Sequence, residues 1–166
     1  MIQINKINFL MQSFPRGQVL LSQWLVTQGY SFELQQRYRK SGWLKSIGKN
    51  AMLKSQDPFL LAGALSALQN MENRNVHVGG RSALELQGLA HYLQINSYET
   101  TLFENGKSKL PLWFSSNEWN TQIKLFRLSL FENETLGMAD FKDGELTMKI
   151  SNPDRALMEC LALCPA

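Results

Sequence analysis

Cysteine is scarce in this sequence, where only Cys160 and Cys164 occur among 166 residues. Their spacing of four places both thiols on one face of a helix, where they could share a metal ion. A zinc site needs four ligands, and the two histidines, His77 and His91, lie far upstream without a pairing pattern. Because free cysteine packs as a small hydrophobic residue, we interpret both as core residues and expect no metal and no other cofactor.

Long apolar runs are also missing, since no stretch approaches the roughly 18 residues that a membrane span requires. Residues 1–10 carry no cationic region before an apolar core, so they do not form a secretory signal. Hydrophobic residues make up 44% of the chain and charged residues 19%, a composition that argues against disorder. We therefore expect a soluble cytoplasmic protein, which does not contact a membrane and folds as one or two domains.

Acidic residues are nearly absent from the first third of the chain. Residues 1–55 contain eight cations and a single anion, Glu33, which gives this segment a charge of +7. Because the whole chain carries +3, the remainder carries −4. This distribution indicates a polyanionic partner for the first segment, although a solvated basic surface would look the same. The eight cations are Lys6, Arg16, Arg37, Arg39, Lys40, Lys45, Lys49 and Lys54.

The hydrophobic pattern of residues 1–55 predicts a winged helix-turn-helix. Gly29-Tyr30-Ser31 is the short glycine-containing connection that such a helix pair requires, and Ser31 is a good N-cap for the second helix. Gly48-Lys49-Asn50 is a turn between two short strands. The predicted order is helix, strand, helix, tight turn, helix and hairpin, over residues 4–14, 18–21, 22–29, 31–42 and 43–53.

The second helix of such a pair enters the major groove of DNA with its N-terminal residues. Glutamine and arginine can read adenine and guanine edges, and hairpin lysines such as Lys45 and Lys49 suit backbone phosphates. The alternative is a solvated helix that packs on another protein, but the local charge favours double-stranded DNA. With Leu34 and Tyr38 inward, the predicted DNA-facing residues are Ser31, Phe32, Gln35, Gln36, Arg37 (at the margin), Arg39 and Lys40.

Residues 56–166 are predicted to form a mixed α/β domain with a largely antiparallel sheet, so the fold class of the chain is α+β. Asp57-Pro58 is read as the start of a helix that reaches Asn70. Asn105-Gly106 and Asp143-Gly144 predict two hairpins. The predicted strands are 75–78, 97–103, 110–114, 121–131, 137–141 and 145–150, with a further helix over 81–87.

Two features of the second part have more than one reading. Gly79-Gly80 before a helix could hold an anion, but a tight turn is favoured because no phosphate-binding motif surrounds it. Asn152-Pro153 caps a last helix in which Arg155 is interpreted as a structural anchor to a carboxylate or carbonyl group. The expected apolar side of this helix consists of Ala156, Leu157, Cys160, Leu161 and Cys164.

Catalytic motifs are missing: the sequence contains no nucleophile elbow, metalloprotease histidine pair or kinase signature. A metal-dependent nuclease would need clustered carboxylates with a lysine, and the nearest set is Asp140, Asp143, Glu145 and Lys149. A hairpin turn with exposed strand positions explains that set better. We therefore do not expect an enzyme.

Five stretches of the sequence resemble the AbiEi-type antitoxins of type IV toxin–antitoxin (abortive infection) systems. The resemblance implies an N-terminal winged helix that represses its own operon at the promoter. It also implies a second domain that counteracts a nucleotidyltransferase-like toxin, without requiring a stable complex with it. Winged helices often bind inverted repeats in pairs, so a homodimer is compatible with this reading. The matching stretches are 22–25, 38–48, 63–69, 76–93 and 153–159.

The resemblance also implies roles for particular residues and leaves one alternative open. It places Gln35, Gln36, Arg39 and Lys40 at the DNA, with Lys45 and Lys49 on the wing, and it assigns 79–92 and 153–159 to the antitoxin domain. Family members usually continue past the last helix, so we expect residues 56–166 to be an incomplete domain. The alternative function is a winged-helix regulator whose second domain senses a small ligand in an enclosed apolar pocket.

Overall fold

The computed structural model describes residues 5–90 and 98–165, which form seven helices and eight strands. None of the helices in these two ranges is long and apolar enough to cross a membrane. In chain order the elements are α1 (Lys6–Ser13), β1 (Leu20–Leu21), α2 (Ser22–Thr27), α3 (Phe32–Lys40), β2 (Leu44–Gly48), β3 (Ala51–Lys54), α4 (Leu61–Asn70), β4 (His77–Val78), α5 (Gly80–Leu86), β5 (Glu99–Phe103), α6 (Leu112–Ser115), β6 (Gln122–Phe126), β7 (Met138–Asp143), β8 (Leu146–Ser151) and α7 (Pro153–Leu163).

The first 55 residues have the predicted order of helix, strand, two helices and hairpin. Their three strands form an antiparallel sheet in the order β1-β3-β2, with a turn at Lys49–Asn50 that joins β2 to β3. Helices and sheet share one hydrophobic cluster, in which helices α1 and α2 supply Leu10 and Leu25 and the sheet supplies Leu20 and Met52. The shared cluster packs the helices against the hairpin, an arrangement that is consistent with the predicted winged helix-turn-helix.

The second sheet has five strands in the order β6-β5-β4-β8-β7. Strand β4 pairs antiparallel with β5 and parallel with β8, while β5 and β6 are parallel and β7 and β8 form an antiparallel hairpin. In this sheet two of the four strand pairs are antiparallel, and across both described sheets four of the six are. The expected α+β class is therefore confirmed, and the hairpin at Asp143-Gly144 is present.

The prediction of a hairpin at Asn105-Gly106 is wrong. After β5 the chain forms a loop over 104–111, and the segment predicted as strand 110–114 contains helix α6 instead. Arg74 and Arg127 both pair with the buried carboxylate of Glu104 and donate to backbone carbonyl groups of residues 106, 108 and 109. Because these carbonyl groups are bound by arginines, they are not available to a neighbouring strand.

One hydrophobic cluster crosses the expected domain boundary at residue 55. Val19 and Leu53 of the first part lie in the same buried cluster as Leu65, Phe114 and Ile150 of the second. The residues 1–55 and 56–166 are thus not separated by a solvated linker, and their independence as domains stays a prediction.

Asp57 reinforces the junction between the two parts and does not cap a helix as expected. Its buried carboxylate accepts a hydrogen bond from the backbone N–H of Gly17 at 2.9 Å, and α4 begins only at Leu61. Gly63 in α4 lies against the same loop, since a Cβ atom there would lie 1.8 Å from the carbonyl oxygen of Gly17. Only glycine permits this approach of helix to loop.

The prediction of the buried apolar side of the last helix is largely wrong. Of its predicted members only Ala156 is buried, whereas Leu157 and Leu161 are 56% and 64% exposed and Cys164 is exposed. The N-cap is confirmed, because the Asn152 side chain accepts from the backbone N–H of Arg155 at 2.9 Å. The helix faces inward with Glu159, which is 1% exposed.

Glu159 lies in a cage of hydrogen-bond donors from four elements. Its carboxylate accepts from Nε2 of His77 at 3.0 Å, the backbone N–H of Gly80 at 2.8 Å, the hydroxyl of Ser151 at 2.8 and 2.9 Å, and Nε of Arg155 at 3.0 Å. The Gly79-Gly80 turn therefore does hold an anion, which is the chain's own carboxylate. A Cβ atom at Gly79 would lie 2.3 Å from this carboxylate, so the turn requires glycine there.

Arg155 is a structural anchor, as expected. Besides Glu159, its guanidinium donates to the carbonyl oxygens of Glu134 and Leu136 at 2.9 and 2.6 Å, and it lies 4.6 Å from the centre of the Phe131 ring. It therefore ties the loop before β7 to the last helix. Both Nε and Nη1 of the guanidinium take part in this anchoring.

We predict that Glu159→Gln lowers the free energy of unfolding by about 3–5 kcal/mol, because the buried guanidinium of Arg155 loses its counter-charge. Urea unfolding measures this change. The matched control is Glu145→Gln in the β7–β8 turn, an exposed position where a change within about 0.5 kcal/mol is expected. Equal effects of the two substitutions would contradict the anchoring role of Glu159.

The same carboxylate predicts an acid-sensitive fold. Burial alone would raise the pKa of Glu159, but hydrogen bonds from His77, Gly80 and Ser151 and the charge of His77 more than offset burial and leave the pKa below its ordinary value of 4.5. The stabilisation is therefore present above about pH 4.5 and is lost as the pH falls through the lower pKa of the folded state. Unfolding free energies measured from pH 6 downward should fall more steeply for the native chain than for Glu159→Gln.

Candidate nucleic-acid interface

Helix α3 begins and ends where its sequence dictates. The hydroxyl of Ser31 accepts a hydrogen bond from the backbone N–H of Leu34 at 3.2 Å, which confirms the predicted N-cap. Gly29 adopts a φ of +89°, which lets the chain turn sharply between α2 and α3. Glu33 lies in the first turn and three cations lie in the last, an order that complements the helix dipole.

Gln35 does not face outward, contrary to the sequence prediction. It is 1% exposed, and its amide donates to the carbonyl oxygens of Ser22 at 3.1 Å and Tyr30 at 2.8 Å. The side chain thereby joins α3 to the start of α2 and to the turn between them. Helical periodicity places position 35 on the same side of α3 as Leu34 and Tyr38. The sequence prediction placed Gln35 outward because its side chain is polar.

Of the seven residues predicted to face DNA on α3 or at its start, five are exposed, Arg39 is partly buried and Gln35 is buried. Arg39 is half-buried and donates a hydrogen bond to Sδ of Met52 at 3.0 Å, so it packs against the hairpin. Phe32 exposes 51% of its surface at the N-terminal end that would enter a groove. The exposed set is Ser31, Phe32, Gln36, Arg37 and Lys40.

The two hairpin lysines differ in their surroundings. Nζ of Lys45 donates to the carbonyl oxygen of Asp57 at 2.7 Å, so this ammonium group is partly engaged within the chain. Lys49 lies in the turn between β2 and β3, beside a cleft that it shares with Trp24, Glu72 and Trp113. The turn is packed against the second part of the chain, and it does not project freely as a long wing would.

Half of the cations in residues 1–55 form hydrogen bonds within the chain. Lys6, Arg39, Lys45 and Lys54 donate to acceptors within the chain. Within the ranges 5–90 and 98–165, the other four have no ion pair and no side-chain hydrogen bond: Arg16, Arg37, Lys40 and Lys49. Arg37, Lys40 and Lys49 therefore remain as the predicted site cations that are available to phosphates.

The carboxylates considered for metal chemistry do not converge. Asp140 pairs with Lys149 across the β7–β8 hairpin at 2.9 Å, and Asp143 lies at its turn. In the described part of the chain, no three His, Cys, Asp or Glu side chains are grouped as a metal ion requires.

Two family models together match almost the whole chain. Residues 3–95 match the model described as "Transcriptional regulator, AbiEi antitoxin N-terminal domain", and residues 97–166 match "Transcriptional regulator, AbiEi antitoxin, Type IV TA system". The chain belongs to the AbiEi family of transcriptional regulators and antitoxins. The resemblance inferred from the sequence is thereby confirmed.

The family description narrows the function at a coarse level. AbiEi proteins are described as transcriptional regulators and antitoxins of type IV toxin–antitoxin systems, a class of proteins that are not enzymes. The N-terminal model extends to residue 95, well past the hairpin that ends at Lys54. No curated protein matches the chain.

We predict that Gln35→Ala destabilises the protein by about 1–3 kcal/mol, because the buried carbonyl groups of Ser22 and Tyr30 lose their donor. Thermal or urea unfolding measures the change. Gln36→Ala removes the same side chain from the next, exposed position and should change stability by no more than about 0.5 kcal/mol. A large effect of Gln36→Ala with none of Gln35→Ala would refute the inward orientation of Gln35.

Proposed function

We propose that this AbiEi family member represses its own operon by binding promoter DNA with helix α3. The observation that supports this most directly is the exposed face of α3, where Arg37 and Lys40 are available beside Gln36 and Phe32. Gln36 can pair with an adenine edge, while the two cations suit phosphates on either side of the groove. Lys49 in the hairpin turn would add one more phosphate contact.

We also propose that residues 56–166 counteract a nucleotidyltransferase-like toxin encoded beside this gene. The support is the match of residues 97–166 to the type IV antitoxin model. In this class the antitoxin opposes the action of the toxin without requiring a stable complex, so no exposed toxin-binding interface is needed. The protein would act in the cytoplasm, where both the operon and the toxin are found.

The ligand-sensing alternative has less support. It requires an enclosed apolar pocket, whereas the clefts of about 340–440 Å³ among the described residues stand open to solvent. A homodimer on an inverted repeat remains part of the proposal, and an operator containing two half-sites would accompany it.

The double substitution Arg37→Ala with Lys40→Ala should weaken binding to the promoter about 30-fold at 0.15 M salt. Each lost phosphate contact lowers the slope of log affinity against log salt by about 0.9, so the slope should become less steep by about 2. Fluorescence anisotropy across a salt series measures both quantities. The fold should be unaffected because both side chains are exposed.

Lys142→Ala with Lys149→Ala is the matched control for this experiment. It removes two exposed lysines from the β7–β8 hairpin, and it should leave affinity and slope near their native values. If the native chain binds its promoter no better than random DNA, the proposed repressor function fails. If the control pair and the α3 pair weaken binding equally, the assignment to α3 fails.

Repression and neutralisation should separate in the Arg37→Ala and Lys40→Ala variant. In cells that express the adjacent toxin gene from an independent promoter, the variant should restore growth as the native chain does. A reporter behind the chain's own promoter should be derepressed in the same cells. Loss of growth rescue together with repression would contradict the division of labour between the two parts.

A further inference from the structure

We infer that Asn117 is a positioning residue for DNA binding, because its side chain holds the β2–β3 turn in the conformation in which Lys49 can reach a backbone phosphate. The inference rests on the proposed function and extends it to a residue of the second part of the chain. Asn117 itself need not touch DNA.

A β-bulge before the turn creates the need for Asn117. In the register between β2 and β3, Ser46 opposes Met52 and Gly48 opposes Ala51, so Ile47 has no cross-strand partner. The amide of Asn117 donates to the carbonyl oxygen of Ile47 at 3.0 Å and to that of Trp113. Both hydrogens of this amide therefore connect the bulge to helix α6.

Close packing fixes the same turn from the same side. A Cβ atom at Gly48 would lie 2.8 Å from Cβ and 2.9 Å from Cα of Trp113, so the backbone of the bulge rests directly on α6. Trp113 is 3% exposed and belongs to the hydrophobic cluster shared by both parts of the chain. The bulge thus lies against a buried residue of the core, and the Asn117 amide binds the carbonyl group beside it.

The opposite end of the turn is held by the helix pair. The carbonyl oxygen of Asn50 accepts from the backbone N–H of Ser22 at 2.9 Å, at the start of α2. Lys49 lies between these two attachments, is exposed, and has no ion pair within residues 5–90 and 98–165. A cation on a backbone that is already ordered loses less freedom when it binds a phosphate than one on a mobile loop.

A double-mutant cycle between Asn117 and Lys49 tests the inference. Lys49→Ala should weaken promoter binding about 5-fold at 0.15 M salt and reduce the salt slope by about 0.9, as expected for one phosphate contact. Asn117→Ala should reproduce most of this loss in the native background and add nothing in the Lys49→Ala background. In an Arg37→Ala background it should keep its full effect, because Arg37 lies on α3.

Asn120→Ala provides the matched control, since Asn120 is an exposed asparagine of the same segment. It should change neither affinity nor slope, and the unfolding midpoint of each variant shows that the fold is retained. The inference is overturned if Asn117→Ala binds as the native chain does, if it binds more tightly, or if its effect persists without Lys49. In each of these cases selective binding by the native chain leaves the proposed repressor function standing, whereas failure of the native chain to bind removes that function itself.

Discussion

The buried carboxylate of Glu159 is the constraint on which the second part of the molecule depends. It joins β4, α5, β8 and α7 through hydrogen bonds from His77, Gly80, Ser151 and Arg155. A buried carboxylate must be compensated by donors, and four elements can supply them only in one relative arrangement. The orientation of α7 follows, because the helix turns Glu159 inward and leaves all three of its leucines exposed.

Signals confined to a few neighbouring residues predicted several turns and caps correctly, but the Asp57-Pro58 helix start and the Asn105-Gly106 hairpin were wrong. The Ser31 and Asn152 caps and the Asp143-Gly144 turn are all present, since each depends on atoms within three residues. Gln35 was predicted to face outward, and Glu159 was not predicted to be buried, because periodicity counts every polar side chain as outward while hydrogen-bond partners elsewhere in the chain decide their orientation. The partner of Glu159 at His77 lies 82 positions away, and no local pattern reports it.

The composition gave the charge of residues 1–55 but overstated the number of cations that are available to a ligand. The excess of +7 in residues 1–55 suggested an eight-cation surface, yet Lys6, Arg39, Lys45 and Lys54 bind acceptors of the chain itself. Only cations that release counterions from DNA contribute to the salt dependence of binding. The structure therefore implies that DNA binding would depend less steeply on salt concentration than the charge count alone suggests. The position of each remaining cation then matters more.

Specific contacts join the two parts of the chain. Asp57, Gly63 and Trp113 bring the second part against the loop before β1 and the β2–β3 turn, and one hydrophobic cluster runs through both. Cutting the chain after the hairpin would expose that cluster and free the turn, so residues 1–55 in isolation would differ from the same residues in the protein. Exposed side chains such as Arg37 and Lys40 can instead be altered without disturbing the core. Surface substitution is therefore a better test of the two proposed activities than truncation, because truncation would disturb both parts of the chain.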